Sequence, residues 1–280
     1  MIEPFQSDDA LLADIRLARA DRERLHVWWL GQSGFLLQWN GKHALLDPYL
    51  SDSLTKKYAA TDKPHVRMTR RVIAPERLDF IDVVSASHIH TDHLDAETLQ
   101  PLFRANREIE FFVPAVIKPE ALKRSGRLDS MAYAMDDGDL AGMKGFRFHA
   151  IPAAHNTIQR DLRGRCHFLG YIIQVGPFKI YHSGDTLLYD GLADRVKEFK
   201  VDLALLPING NLPERRVAGN LNGVEAANLA KASGAKLVVP CHYEMFEFNT
   251  ASPDEFKVEC EHIGQNYRVL RAGERLTLTG

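Results

Sequence analysis

The segment SASHIHTDHLDAET, residues 85–98, carries three histidines and two aspartates within eight consecutive positions. These residues directly follow the apolar run FIDVVSA, which is typical of a buried strand. Imidazole nitrogens and carboxylate oxygens are donors that divalent metal ions commonly bind in proteins. The segment is therefore either a histidine-rich polar turn or one half of a metal site, and a half site requires further donors elsewhere in the chain.

Three further donors stand in loops that each follow an apolar run. His155 lies in IPAAHN after FRFHA, Asp185 lies in YHSGDT after KIYHS, and His242 lies in VPCHYE after AKLVVP. A donor at the end of a strand can project from the edge of a sheet, where loops meet and functional residues concentrate. We therefore expect all four loops to contribute to one metal site.

The spacing within HIHTDH favours two ions rather than one. A turn there lets two histidines face one cation while the following aspartate and histidine face another. Two divalent ions about 3.5–4 Å apart can share bridging ligands, and Asp185 can give one oxygen to each. The predicted ligands are His88, His90 and His155 on one ion, Asp92, His93 and His242 on the other, and Asp185 between them.

This ligand set predicts metal-assisted hydrolysis. Two ions lower the pKa of a shared water towards about 7, and the resulting hydroxide attacks a carbonyl carbon or a phosphorus. We expect Asp92 to be catalytic as well, by orienting the nucleophile and relaying a proton to the leaving group. Imidazole and carboxylate donors suit zinc best and also accommodate manganese or iron. We predict two divalent ions, with Zn²⁺ first and Mn²⁺ as the alternative.

The motifs HIHTDH, AAH, SGDT and PCH, in this order, resemble those of the metallo-β-lactamase fold superfamily. The resemblance implies an α/β fold, an αββα four-layer sandwich of two mixed β-sheets flanked by helices, with a binuclear metal site at one edge. The stretches WWLGQSGFLL, YHSGDT and VVPCHYEMF are most similar to L-ascorbate-6-phosphate lactonase-like hydrolases, which implies a metal-dependent hydrolase of a small, anionic lactone or ester. The stretch LDPYLSDS looks at least as much like the N-acyl-phosphatidylethanolamine phospholipase D-like branch, so a phosphodiesterase is the alternative. A metal-binding module without catalysis is the alternative of another class.

Four side chains outside this ligand set are candidates for supporting roles. Asp47 follows the apolar HALL and can hold a ligand imidazole through its second ring nitrogen, although an aspartate before a proline also forms turns. The loop INGNLPERRVAGN follows VDLALLP at the same predicted edge. Its Asn209, Arg215 and Arg216 are candidates for contacting an anionic substrate, whereas solvated surface charges are the plainer interpretation.

The elements that must position these donors change character along the chain. Short β-type runs come first, and the Asn-Gly in WNGKH predicts a hairpin. The last third alternates helices with strands and ends in a predicted strand at YRVLRA. Early hairpins followed by β–α alternation predict sheets covered by helices. We expect one domain over residues 1–280, with an amphipathic helix within residues 1–24 packing on it.

Composition and charge restrict the partners. The 280 residues include 35 Lys and Arg against 37 Asp and Glu, a formal charge of −2, so no overall basic field attracts nucleic acid. The three widely spaced cysteines and the absence of a signal-like start predict a cytoplasmic protein. We expect a small-molecule substrate and no nucleic acid, with membrane association only under the phospholipase-like alternative. The sequence leaves a homo-oligomer open.

Overall fold

Two β-sheets packed face to face form the centre of the molecule, and helices cover their outer faces. The computed structural model describes residues 1–128 and 132–280. Apolar side chains of both sheets meet in one core, where Phe112 of the first sheet stacks on Phe148 of the second at 4.4 Å between ring centres. Burying one such side chain stabilises a fold by roughly 1.5–3 kcal/mol. The predicted αββα sandwich of two mixed sheets is confirmed.

The first sheet is mixed, and all of its strands except the last, β13, come from the first half of the chain. They are β1 (Leu25–Gly31), β2 (Gly34–Trp39), β3 (Lys42–Leu46), β4 (Val83–Ser85), β5 (Glu110–Pro114), β6 (Ala132–Met135) and β13 (Arg275–Leu278). Their order is β13-β1-β2-β3-β4-β5-β6, antiparallel up to β3 and parallel from β3 to β6. The predicted hairpin joins β2 to β3 through Asn40 and Gly41, which both have positive φ.

The second sheet carries the strands that precede three of the predicted donors. They are β7 (Leu140–Met143), β8 (Phe146–Pro152), β9 (Leu169–Val175), β10 (Phe178–His182), β11 (Leu203–Pro207) and β12 (Leu237–Cys241). Strands β8 and β10 both pair antiparallel with β9, and β10, β11 and β12 pair parallel. Because β8, β10 and β12 therefore run in one direction, their carboxyl ends lie at one edge of the sheet.

Strand β4 of the first sheet ends beside this edge. The backbone N–H of Leu169 donates to the carbonyl of Ser87, just after β4, at 3.0 Å. The Tyr171 hydroxyl donates to the carbonyl of Ala86 at 3.2 Å. These bonds between the sheets bring the histidine-rich turn to the loops that follow β8, β10 and β12.

The helices of the described residues are short. They are α1 (Asp8–Ala18), α2 (Ser53–Tyr58), α3 (Ala96–Ala105), α4 (Lys118–Ser125), α5 (Leu192–Lys197), α6 (Gly223–Ala232) and α7 (Asp254–Ile263). The longest, α1, has 11 residues, whereas a membrane span needs about 20. Among residues 1–128 and 132–280, no helix has both the length and the apolar character that crossing a bilayer requires.

Helix α1 is the amphipathic helix that the sequence predicts near the N-terminus. Its buried face consists of Leu11, Leu12, Ile15 and Ala18. Asp14 on the same helix accepts a hydrogen bond from Trp28 Nε1 of β1 at 2.9 Å. Helix α1 therefore packs against the first sheet.

The prediction of a strand at YRVLRA, residues 267–272, is wrong. Only Tyr267 makes a bridge there, to Val238 at the edge of the second sheet. The chain then crosses to the other sheet, turning through Gly273 at a φ of +82° before β13 begins at Arg275. A segment that crosses between two sheets does not stay beside either sheet for enough residues to form a ladder of backbone hydrogen bonds. It therefore forms no strand, in spite of its apolar residues.

Candidate metal centre

The histidine-rich turn lies between the end of β4 and the start of α3. Asp95 caps α3, because its side chain accepts the backbone N–H of Glu97. The carbonyl of His90 accepts the backbone N–H groups of His93, at 3.1 Å, and Leu94, at 2.8 Å. This tight turn places the side chains of HIHTDH on the inner side of the sheet edge.

Arg124 on α4 holds the same turn from outside. Its Nη1 donates to the carbonyl of Ile89 at 2.7 Å and to the carbonyl of Leu94 at 3.1 Å. Its Nε is bonded to Glu120 at 2.8 Å. The guanidinium therefore fixes the backbone at two points of the turn, between His88 and His90 and after His93.

Asp47 lies behind the turn and binds it through a buried network. One carboxylate oxygen accepts the Ser87 backbone N–H at 2.8 Å, and the other lies 2.7 Å from His93 Nδ1 and also accepts the Ser87 hydroxyl. Asp47, Ser87 and His93 are almost completely buried. A carboxylate on Nδ1 orients the imidazole so that Nε2 is the nitrogen available to a metal.

The other three predicted donors follow strands of the second sheet. His155 comes after β8, and its Nδ1 is bonded to the carbonyl of Gly219 at 2.9 Å. Asp185 comes after β10, behind Gly184, whose φ of +59° turns the chain against Ser87. His242 comes directly after β12 with a φ of +63°. All three side chains are buried.

The seven predicted ligands lie together in the structure. The donor atoms of His88, His90 and His155 lie within 4.8 Å of one another, and so do those of Asp92, His93 and His242. This division is the one predicted from the spacing of HIHTDH, although it does not test the metal roles themselves.

Asp185 contacts both groups of donors. Its Oδ1 is 3.4 Å from His93 Nε2, and its Oδ2 is 3.3 Å from His242 Nε2 and 3.7 Å from His155 Nε2. The carboxylate thus lies between the two groups, where a bridging ligand would be required.

Several buried donor atoms at the centre fit a metal because no hydrogen bond satisfies them. His88 Nε2, His93 Nε2 and Asp185 Oδ1 are buried and make no hydrogen bond. Leaving buried polar atoms unsatisfied costs roughly 1–3 kcal/mol each. Divalent cations bound among these atoms would satisfy all three. A further set, Asp47, His88 and His93, is also compact, but the Asp47 oxygens are already occupied by Ser87 and His93.

The electrostatics divide the histidines into two kinds. Burial lowers the pKa of His88 well below its usual value and that of His90 to about 4, so both imidazoles are neutral. Burial also opposes the charge on His242, but Asp185 and Asp92 together raise its pKa to about 9. The pKa of Asp185 stays well below the usual range: burial alone would raise it, but His242 and His93 lower it more. The carboxylates of Asp92 and Asp185 therefore favour positive charge at this centre, as a cation site requires.

A cavity of about 450 Å³ opens onto the donors. Its floor includes His90, Asp92, His155, Asp185 and His242. Its basic wall contains Lys57, Lys63, Arg124 and Arg216, and its apolar and aromatic wall contains Leu54, Tyr58, His65, Phe246 and Phe248. The donors are therefore accessible to a molecule of moderate size.

Two of the three predicted substrate contacts lie outside this cavity. Arg216 lines it, but Asn209 is buried and bonded to Asn249 and Asn220. Arg215 donates to the carbonyls of Asn209 and Thr250, so its guanidinium holds the loop. Asn209 is thus bonded to asparagine side chains and Arg215 to backbone carbonyls, and substrate contact by these residues stays a prediction.

The sequence prediction missed other residues of the cavity. Lys57 and Tyr58 lie on α2, inside a stretch that carries no strong helix signal, and Phe246 comes from a distant loop. Gln32 lies in GQSG, a motif that predicts a turn. Its Nε2 lies 2.8 Å from Asp92 Oδ2 and 2.9 Å from His242 Nε2. No signal in the sequence connects these residues to the metal donors, since only the tertiary fold brings them together.

Comparison with known proteins is consistent with this site. A family model described as "Beta-lactamase superfamily domain" matches residues 43–243. That range contains Asp47 and all seven predicted ligands.

Two curated relatives match most of the chain. A UPF0173 metal-dependent hydrolase from Myxococcus xanthus is 26% identical over 262 residues, covering 90% of this chain and 82% of that protein. A second UPF0173 metal-dependent hydrolase, from Methanosarcina mazei, is 26% identical over 261 residues, covering 91% and 99% respectively.

A solved structure has the same fold. Igni18, described as a novel metallo hydrolase from the hyperthermophilic archaeon Ignicoccus hospitalis, superimposes with a TM-score of 0.68 at 24% identity. The superposition covers 92% of this chain and 99% of Igni18.

Proposed function

This chain belongs to the beta-lactamase superfamily domain family and is a metal-dependent hydrolase, and we propose that it opens a small, anionic lactone or ester. The observation that carries the proposal is the meeting of seven donor side chains, from four loops, below one open cavity. The orphaned atoms of His88, His93 and Asp185 support a bound cation there.

The proposed ligands are those predicted from the sequence. His88, His90 and His155 would hold one divalent ion and Asp92, His93 and His242 the other, with Asp185 shared between them. Imidazole-rich donors suit zinc, and Mn²⁺ is the alternative for a site that also contains carboxylates. When bound, such ions supply a nucleophile from water at neutral pH and polarise the bond under attack.

The position of Asp92 in the cavity supports its proposed catalytic role. It lines the cavity, and its side chain is 17% exposed, whereas that of Asp185 is 3% exposed. Although burial alone would raise its pKa, His93 and His242 hold the pKa of Asp92 well below its usual value, so the group is a carboxylate and accepts hydrogen bonds. It can therefore orient the attacking water and pass a proton towards the leaving group.

The basic wall of the cavity supports an anionic substrate. Lys57 contacts the ring of Tyr58 at 5.0 Å, and in the described part of the chain no carboxylate pairs with it. Arg216 is paired with Asp62, and Lys63 donates to the carbonyl of Arg216 at 2.5 Å. Among the basic residues that line the cavity, Lys57 thus makes neither an ion pair nor a hydrogen bond within the described residues, and it could bind a carboxylate or phosphate.

The aromatic wall favours one second candidate, the phosphodiesterase alternative. Tyr58 stacks on His65 at 4.2 Å between ring centres, and Phe248 lies 4.4 Å from the same imidazole. This surface could accept an apolar group next to a phosphodiester. A liposome pelleting assay distinguishes the two candidates, because partition onto phospholipid vesicles counts against a soluble lactone substrate.

The proposed location is the cytoplasm. Cys166, Cys241 and Cys260 are all free and buried. Free thiols fit a reducing compartment.

The function is tested by metal content and a substrate screen on protein purified without added ions. We expect two transition metal ions per chain and turnover of an anionic lactone or ester, which the substitution Asp92→Ala abolishes. Less than one ion per chain, with no activity after reconstitution on lactones, esters, phosphodiesters or phospholipids, contradicts the proposal. Two bound ions with turnover that Asp92→Ala leaves unchanged would instead support a metal-binding module without catalysis at this site.

A further inference from the structure

Gln32 is held in a strained backbone conformation directly beside the metal donors. It lies between β1 and β2 with a φ of +51°. Its carbonyl accepts the indole Nε1–H of Trp29 at 2.9 Å and the backbone N–H of His242 at 3.0 Å. A left-handed conformation costs a residue with a side chain roughly 1–2 kcal/mol. Strain of this kind is found most often where a side chain has a functional position.

The carboxamide of Gln32 points into the second group of donors. Its Nε2 lies 2.8 Å from Asp92 Oδ2 and 2.9 Å from His242 Nε2. Its Oε1 is buried and has no hydrogen-bond partner. The two ends of a carboxamide have nearly the same size and shape, so a half turn about the Cγ–Cδ bond exchanges them.

These distances match those among the proposed ligands of the second ion. Asp92 Oδ2 lies 3.5 Å from both His93 Nε2 and His242 Nε2, and Asp185 Oδ1 lies 3.4 Å from His93 Nε2. Donors that are each about 2.0–2.2 Å from one ion lie roughly 2.8–3.5 Å apart. The head of the Gln32 side chain is therefore as close to this group as a further ligand of the same ion would be.

We propose that Gln32 is an additional ligand of the second metal ion, to which it gives Oε1 after the carboxamide turns. The inference rests on the proposed two-ion site. It would give that ion a neutral oxygen donor beside the carboxylates of Asp92 and Asp185, whereas the first ion would have three imidazoles and the shared Asp185 alone. Oxygen donors favour harder cations such as Mn²⁺. The second position should therefore discriminate less against Mn²⁺, relative to Zn²⁺, than the first.

The competing role for Gln32 is that of a hydrogen-bond donor that only orients Asp92. The two roles give opposite results for Gln32→Glu. A carboxylate can still bind the ion, and its charge tightens binding. If Gln32 only donates a hydrogen bond, the glutamate lacks that N–H group and its charge repels Asp92. Binding of the second ion then weakens.

The test is a titration of the metal-free full chain with Mn²⁺, in which free Mn²⁺ is followed by electron paramagnetic resonance. The variants are Gln32→Leu and Gln32→Glu. The control is Gln38→Leu, because Gln38 of β2 is also completely buried with both polar side-chain atoms unpartnered but does not contact the donors. Circular dichroism and the thermal midpoint of each metal-free variant establish that it is folded.

We expect Gln32→Leu to raise the second Kd for Mn²⁺ by at least about tenfold, the size of effect that losing a metal-site contact produces. Gln32→Glu should bind the second ion at least as tightly as the natural protein, and Gln38→Leu should leave both Kd values unchanged. A second Kd within twofold of the natural value in Gln32→Leu overturns the inference, and so does a weakened second site in Gln32→Glu. In both cases the two-ion hydrolase stands. If the natural protein binds no second ion, the result contradicts the two-ion site itself and with it this inference.

Discussion

His93 and Asp47 form a buried pair in which the imidazole Nδ1 lies 2.7 Å from a carboxylate oxygen. Both side chains have no exposure to solvent. Asp47 is also bonded to the backbone N–H of Ser87, so the pair is tied to the start of the histidine-rich turn. The carboxylate sets the orientation of His93 Nε2 toward the second proposed ion.

The substitution Asp47→Asn should therefore weaken metal binding while the fold persists. Asparagine tolerates the φ of +40° at this position but cannot hold His93 as a carboxylate does. We expect the affinity for the second ion to fall by about 10–100-fold, as is usual for a lost partner of a metal-binding histidine. Isothermal titration of the metal-free chain measures this. Asp202→Asn is the control, because Asp202 binds the backbone of Lys179 away from the site; equal effects in both variants would contradict the role of Asp47.

Gly184 should not tolerate a side chain. An added Cβ would lie 2.6 Å from the Cβ of Ser87, at a φ of +59°. Gly41 provides the matched control, because it has a φ of +74° with nothing within 4 Å of an added Cβ. Gly41→Ala should cost about 1–2 kcal/mol from backbone strain alone, and Gly184→Ala should cost about 1–3 kcal/mol more from overpacking.

Urea unfolding of the metal-free variants measures both free energies. Gly184→Ala should also lose metal affinity, since Ser87 and Asp185 must move apart. Equal destabilisation of the two variants would show that the contact between Gly184 and Ser87 does not constrain the site.

Lys57→Gln should weaken the binding of an anionic substrate. Lys57 lines the cavity, whereas its neighbour Lys56 points away and is paired with Glu97 at 2.8 Å. Once a substrate is found, we expect Lys57→Gln to raise KM by about 5–10-fold, corresponding to about 1 kcal/mol, with kcat nearly unchanged. Lys56→Gln should leave both constants unaltered. A KM that is the same for Lys57→Gln and the natural chain would argue against an anionic group at this wall.

The stability of the protein should decrease as the pH is lowered, partly because of His43. Burial lowers the pKa of His43 to about 4 from its usual 6.5, so the folded chain keeps this imidazole neutral. The unfolded chain binds a proton between pH 6.5 and 4, and in this window stability is lost as the pH falls. At pH 5 the loss relative to pH 7 should be about 2 kcal/mol.

This contribution is isolated by comparing the natural chain with His43→Leu. Urea unfolding in the presence of a chelator, at pH 7 and at pH 5, gives the four free energies required. The drop between the two pH values should be smaller in His43→Leu by the amount that His43 contributes. An identical drop in both chains would mean that His43 titrates normally when folded.

The sequence predicts that the seven candidate donors lie together because each group of them follows an apolar run, and the structure brings them together. His155, Asp185 and His242 come from strands that share one direction, and strand direction alone brings such ends to one edge. The hairpin at Asn40 and Gly41 was equally predictable, because few other residue pairs adopt its backbone conformation.

What the sequence could not supply depends on contacts between distant segments. Arg215 looked free to bind substrate, but the carbonyl of Thr250 accepts its guanidinium at 2.8 Å. Gln32 looked like a turn residue, and only the return of the chain at His242 places it in the metal centre. The strand expected at residues 267–272 has suitable residues, but there the backbone crosses between sheets.

Anomalous diffraction from crystals grown with Zn²⁺ or Mn²⁺, measured at the metal absorption edge, tests the central claim most directly. We predict two peaks about 3.5–4 Å apart, one among His88, His90 and His155 and the other among Asp92, His93 and His242, with Asp185 between them. A single peak, or peaks away from these side chains, would contradict the two-ion centre on which the proposed hydrolysis depends.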